Sequence, residues 1–224
     1  MSTYRMHKNL SVRQITRRIA GGVAALSVLS FILLNAAPVM AHHPFGGEAP
    51  KTLLEGLVSG IGHPVLGLDH LAFVIAVGLL AVLVRRGFLI PFSFLLAALL
   101  GTGLHLAGLN LPAPEHVISG SVLIFGVLAA MGRRWSLSVV TALAAIAGIF
   151  HGYAYGEAVI GTEPTPLVAY LIGFTMVQGA IAFAAYALSK RAISRDKTVG
   201  LISVRNAGFV LCGAGMAFLG GLLV

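Results

Sequence analysis

Charge and cysteine are both scarce in this chain. Of its 224 residues only 10% are Asp, Glu, Lys or Arg, against 58% that are hydrophobic. A soluble domain, with a charged fraction of about 25%, is excluded by that shortage. A mean hydropathy of +0.95 belongs to an integral membrane protein. The single cysteine, Cys212, lies in an apolar run, which excludes an internal disulfide and a thiolate-rich metal site. The 6 methionines are scattered, so a thioether cluster suited to Cu(I) is missing as well. No Gly-x-x-x-x-Gly-Lys-[Ser/Thr] segment occurs, and the chain does not hydrolyse ATP through a P-loop. The net charge of +8 sits mostly in short basic clusters between apolar runs. That is a membrane pattern, and no nucleic-acid partner is expected.

The N-terminus has the three parts of a secretory signal. Arg5, Lys8, Arg13, Arg17 and Arg18 precede an apolar run from Ile19 to Leu34, and small residues end at Val39-Met40-Ala41. Residues 1–41 are expected to be a signal peptide and 42–224 a single transmembrane domain. The alternative is an uncleaved anchor, for which the apolar run is long enough. Either arrangement puts His42 outside.

With a span of about 20 apolar residues as the ruler, helices are expected near 64–84, 88–108, 115–132, 136–155, 166–189 and 201–224. Ahead of them, Thr52 to Gly62 forms a short apolar piece. At about 1.5 Å per residue it covers about 16 Å and cannot cross a hydrocarbon core of about 30 Å. The expected fold is therefore all-α: a polytopic bundle of six transmembrane helices, a half-helix in the outer leaflet and a signal peptide before it. Arg85-Arg86, Arg133-Arg134 and the group Lys190, Arg191, Arg195, Lys197 follow alternate helices, whereas Gly108 to Pro114 and Gly156 to Pro166 contain no Lys or Arg. The positive-inside rule then places both mature termini outside.

The histidines, 8 in number, are the unusual feature. On this map His63, Glu115, His116, His151 and Glu157 fall at outer helix ends, with His105 within a turn of one, and Asp69 and His70 about two turns deeper than His63. Titratable groups at membrane depth are costly and mark an ion or substrate path. The sharpest group is His63-Pro64-Val65-Leu66-Gly67-Leu68-Asp69-His70. Pro64 is expected to end the half-helix at His63. In one straight helix His63 and His70 would lie about 10 Å apart along the axis, too far to share one ion. A break folds His63 back toward Asp69 and His70, as in transporters that build ion sites at discontinuous helices. Imidazole and carboxylate ligands suit Ni²⁺, Co²⁺ or Zn²⁺.

His63-Pro64-x-x-Gly67-x-Asp69-His70, followed by Ala76-Val77-Gly78, resembles the signature of the HupE/UreJ family of nickel and cobalt permeases. Phe150-His151-Gly152-Tyr153-Ala154-Tyr155-Gly156-Glu157 resembles its second motif. The resemblance implies a secondary permease of the bacterial inner membrane, not an enzyme, that moves Ni²⁺ or Co²⁺ inward without a prosthetic group. Inward movement of a dication through 100 mV would gain about 4.6 kcal/mol. The expected metal ligands are His63, Asp69 and His70, with His151 from another helix. Glu157, Glu115, His116 and His105 would guide or complete the site, and His42 and His43 would collect metal at the entrance.

The residues alone leave other readings open. His63, Asp69 and His70 could be a polar cluster that ties helices together. An intramembrane zinc-dependent hydrolase could use the same ligands to activate water, and a metal-delivery partner for a metalloenzyme is a further class. Homo-oligomerisation is also open. The glycines Gly148, Gly152 and Gly156 read as a packing surface that lets a helix approach His151 closely, and Gln178 as a hydrogen-bonder between helices.

Overall fold

The computed structural model describes residues 49–223, and the expected signal peptide with its expected cleavage point, His42 and His43 lie outside that range. The described residues form seven helices and no strands: α1 Leu53–Leu66, α2 Leu68–Ala81, α3 Leu89–Leu106, α4 Pro114–Ala130, α5 Leu137–Glu157, α6 Pro164–Arg195 and α7 Lys197–Gly221. Four of them, α3, α5, α6 and α7, are long and apolar enough to cross a membrane. The pair α1 and α2 passes the same test together, bent by 77°, and α4 is a shorter apolar helix. Large apolar side chains such as Leu96, Met176 and Leu188 stand exposed on the outside of the bundle. A lipid-facing surface carries such residues at no cost. The chain is a multi-pass membrane helix protein.

The start of α1 is written in its first residues. The Thr52 hydroxyl accepts from the Glu55 backbone N–H at 3.2 Å, and the Glu55 carboxylate accepts from the Thr52 N–H at 3.3 Å, a reciprocal cap that satisfies two orphan donors. Its end differs from expectation. The helix does not stop at His63 but runs through Pro64 to Leu66, and the chain turns at Gly67. Pro64 falls in the final turn, where its missing N–H removes a single helical bond and no long helix follows to be kinked. Gly67 is extended, with φ −72 and ψ 99, and its N–H returns to the His63 carbonyl at 3.0 Å. A Cβ at Gly67 would lie 2.7 Å from Cδ2 of His70. The histidine ring therefore occupies the volume that any other residue would fill.

Boundaries elsewhere differ by a few residues, except that α6 continues to Arg195 rather than ending near 189. Its 32 residues span about 48 Å, so its basic end extends well past a core of about 30 Å. Asp196 stops it and caps α7, accepting from the Val199 N–H at 3.0 Å.

Lipid tails are as apolar as the side chains, so helices in a bilayer associate by close packing rather than by hydrophobic burial. The glycines supply that closeness. Gly101 and Gly152 bring α3 and α5 into backbone contact, where a Cβ on Gly152 would run into the Ala98 carbonyl. Thr102 fastens the crossing by donating to the Gly152 carbonyl at 2.7 Å. Gly56 and Gly60 do the same for α1 against Pro166 and Tyr170 of α6, and Gly78 of α2 lies on the Ala182 carbonyl. The expected role of Gly148, Gly152 and Gly156 as a packing surface for a neighbouring helix holds. The main core joins α2 to α7 around Phe73, Phe94 and Phe125, and a smaller one holds Tyr155, Tyr170 and Phe174. Gly152→Ala is expected to destabilise the protein by about 1–3 kcal/mol through overpacking. Gly103→Ala, where nothing lies within 4 Å of the added carbon, should leave the thermal unfolding midpoint in detergent equal or higher.

Candidate functional site

The bend at Gly67 sets His63, on the last turn of α1, against His70, on the first turn of α2. Their ring centroids are 5.8 Å apart and the rings lie edge to face at 72°. His151 of α5 completes the group, its ring 4.9 Å from that of His70. All three side chains are buried, His151 completely. Tyr155, one turn after His151, packs on both other histidines at 5.0 Å and 4.5 Å. Phe73 stacks beneath His151 at 4.4 Å, with 22° between the rings. The histidine layer therefore rests on an apolar floor, and the interior below it is aromatic and aliphatic.

Hydrogen bonds settle which nitrogen of each ring carries the proton. The Ser121 hydroxyl, from α4, donates to the Ile118 carbonyl at 2.6 Å. A hydroxyl has one proton, so at 3.1 Å it accepts from Nε2–H of His151. Neutral His151 then presents a lone pair at Nδ1, which accepts from Nδ1–H of His70 at 2.8 Å. The same logic applies on α6. The Tyr170 hydroxyl donates to the Tyr155 carbonyl at 3.0 Å and accepts from Nδ1–H of His63 at 2.9 Å. In this network His63 and His70 each donate through Nδ1, the arrangement in which imidazole binds metal through Nε2.

Asp69 is half-buried at the start of α2, and its Oδ1 accepts from the His70 N–H at 2.8 Å. That bond satisfies one of the first-turn N–H groups that have no partner within the helix and pins the turn from which His70 projects. Among the described residues no three His, Cys, Asp or Glu side chains are arranged to hold one metal ion together. The reason is visible at His151, whose two ring nitrogens are taken by His70 and Ser121. In this arrangement His151 orients His70.

The remaining sequence candidates lie elsewhere. Glu115 and His116 are exposed on the first turn of α4, and Glu157 is exposed at the end of α5. None of these joins the buried group. His105 packs on Tyr153 with ring centroids at 4.2 Å and against Gly156, and its buried Nδ1 has no hydrogen-bond partner among the described residues. The hydroxyls of Ser121 and Tyr170 were missed in the sequence. Tyr170 carried a signal, since a tyrosine in an apolar span must bring its hydroxyl to a partner; Ser121 carried none that separates it from other small residues. Tyr155, one turn from His151, leaves its buried hydroxyl without a hydrogen-bond partner among the described residues.

The profile of the HupE / UreJ protein family matches residues 29–218. The chain belongs to the HupE/UreJ family. Among curated proteins it is similar to Protein HupE of Rhizobium leguminosarum bv. viciae, 28% identical over 189 residues that cover 83% of this chain and 93% of that relative. No solved structure matches. Membership ties the chain to a family associated with nickel and cobalt transport, and the histidine layer is built from the two segments that carry the resemblance.

The two tyrosine hydroxyls give opposite expectations. Tyr170→Phe strands His63 Nδ1 and the Tyr155 carbonyl and should cost about 1–3 kcal/mol. Tyr155→Phe removes a buried hydroxyl that has no partner among the described residues and should leave stability equal or higher. Thermal unfolding of the purified variants in detergent measures both.

Proposed function

We propose that this protein is a secondary permease that carries Ni²⁺ or Co²⁺ inward across the bacterial inner membrane. In this reading His63 and His70 present Nε2 to the ion, and Asp69 supplies the carboxylate that offsets its charge. His151 holds His70 in the competent tautomer, and His105, Glu115, His116, Glu157, His42 and His43 act nearer the entrance. The bent pair α1 and α2 counts as one entry span with a re-entrant arm, so that with α4 the mature domain crosses the membrane six times, its N-terminus outside. The chain is not an enzyme in this reading and holds no prosthetic group.

One observation carries the proposal. Two buried imidazoles approach from opposite arms of a broken helix, each held at Nδ1 by a side chain of another helix. Ligands at a discontinuous helix are free to separate when the two arms move, which a static coordination cage is not. A site with few ligands also suits transport, because an ion must leave as readily as it enters. Nitrogen and carboxylate donors fit Ni²⁺ and Co²⁺, and the scarcity of sulfur removes the competing preference for Cu(I).

Accumulation of radioactive Ni²⁺ and Co²⁺ by cells expressing the full chain tests the reading. His63→Ala, Asp69→Asn and His70→Ala, matched for abundance in the membrane, are expected to fall to the level of cells without the protein. Ser121→Ala, which removes the support of His151, should lower apparent metal affinity by about 10–100-fold, the usual effect of losing an outer partner. Wild-type cells that accumulate neither ion overturn the permease reading.

A further inference from the structure

Below the histidine layer the described interior of the bundle has few polar groups, and a fully buried one is on α6. Gln178 is fully buried, 0% exposed, at membrane depth. Rather than reaching another helix, its Nε2 donates to the Phe174 carbonyl of its own helix at 3.2 Å. This fixes the orientation of the amide, since the reverse would set two carbonyl oxygens against each other. Oε1 consequently faces away from that bond, and it has no hydrogen-bond partner among the described residues. The hydroxyl of Thr175, less than one turn earlier on α6, is buried and without a partner there too.

The position of Gln178 along the helix is informative. Tyr170 touches His63 at one level of α6, and Ala182 lies on Gly78 at a deeper one. Gln178 falls between them, eight residues from Tyr170, or about 12 Å along the axis. The Thr141 hydroxyl of α5 is likewise buried without a partner among the described residues, and Ser189 is buried near the basic end of α6. A buried amide oxygen without a partner is unfavourable in a bilayer, and polar groups kept at that depth mark an ion path.

We infer that Gln178 Oε1 is a second station for the dication, or for its water shell, between release from His63 and His70 and exit at the basic end of the bundle. The inference rests on the permease reading and adds to it the inner half of the route. A neutral carbonyl oxygen is suited to that place. It stabilises a passing cation without the tight hold of a carboxylate or a pair of imidazoles, and conduction needs sites weak enough to leave. The Thr175 hydroxyl would lend a second oxygen about 4.5 Å nearer the histidine layer.

The test compares initial rates of Ni²⁺ and Co²⁺ uptake by cells expressing the full chain, wild type and Gln178→Leu, over a range of external metal. Expected is a fall of about tenfold or more in the maximal rate, with the apparent KM within about twofold of wild type, since capture at the histidines is untouched. Purified Gln178→Leu should bind Ni²⁺ as the wild type does and melt no lower, because an oxygen without a partner has been removed. If that variant does not reach the membrane, Gln178→Met, which matches the length, reads the same outcome. A maximal rate equal to wild type overturns the inference, and so does a loss confined to KM, which would place Gln178 in capture. The His63→Ala and His70→Ala variants separate the two levels. If they abolish uptake while Gln178→Leu transports normally, the second station alone fails; if the wild type accumulates no metal, the permease reading fails with it.

Discussion

The close contact between Gly67 and the ring of His70 is the constraint on which the histidine layer depends. A side chain at residue 67 and an imidazole at residue 70 cannot occupy the same space, so glycine is what allows α2 to begin with His70 turned inward. The chain bends by 77° at this residue, and there His63 and His70 meet. Without the bend these residues would lie along one helix at separate depths. With it they share a layer that α5 and α6 close from the far side, through His151 and Tyr170.

The layer is held by single protons in fixed places. Each hydroxyl that supports a histidine also donates to a backbone carbonyl, Ser121 to Ile118 and Tyr170 to Tyr155. Because a hydroxyl has one proton to give, that donation makes it an acceptor toward the ring. The tautomer of each imidazole is thus decided by backbone geometry two contacts away. Such outer partners orient the inner ligands of metal sites in general, and in this protein they come from α4 and α6, helices that contribute no histidine to the layer.

Close backbone packing serves the same end. In lipid the helices have no hydrophobic reason to associate, and buried polar groups need hydrogen-bond partners within reach. Glycines at the crossings of α1 with α6 and of α3 with α5 remove the side chains that would hold the backbones apart. The interhelical bonds of Tyr170 and Thr102 then fall within reach. Packing and polarity are therefore one design: the glycine contacts determine how near the hydroxyls come, and the hydroxyls determine how the rings are protonated.

Much of this was legible in the sequence. The low charge, the length of the apolar runs and the two histidine motifs specify an all-helical membrane protein of this family and name His63, Asp69, His70 and His151, because composition and spacing along one helix are local properties. The chain turning at Gly67 rather than at Pro64 was not legible, since a proline reads as a breaker from sequence whereas the steric demand of His70 on Gly67 exists only once the turn is made. Nor was the division of labour among the polar groups. Glu115, His116 and Glu157 share the helix ends but stay exposed, while Ser121 and Tyr170, unremarkable in the chain, reach the rings. Helix rotation about its own axis decides which side chain faces the interior, and rotation is set by the packing of all neighbours at once. Only the tertiary structure could decide it.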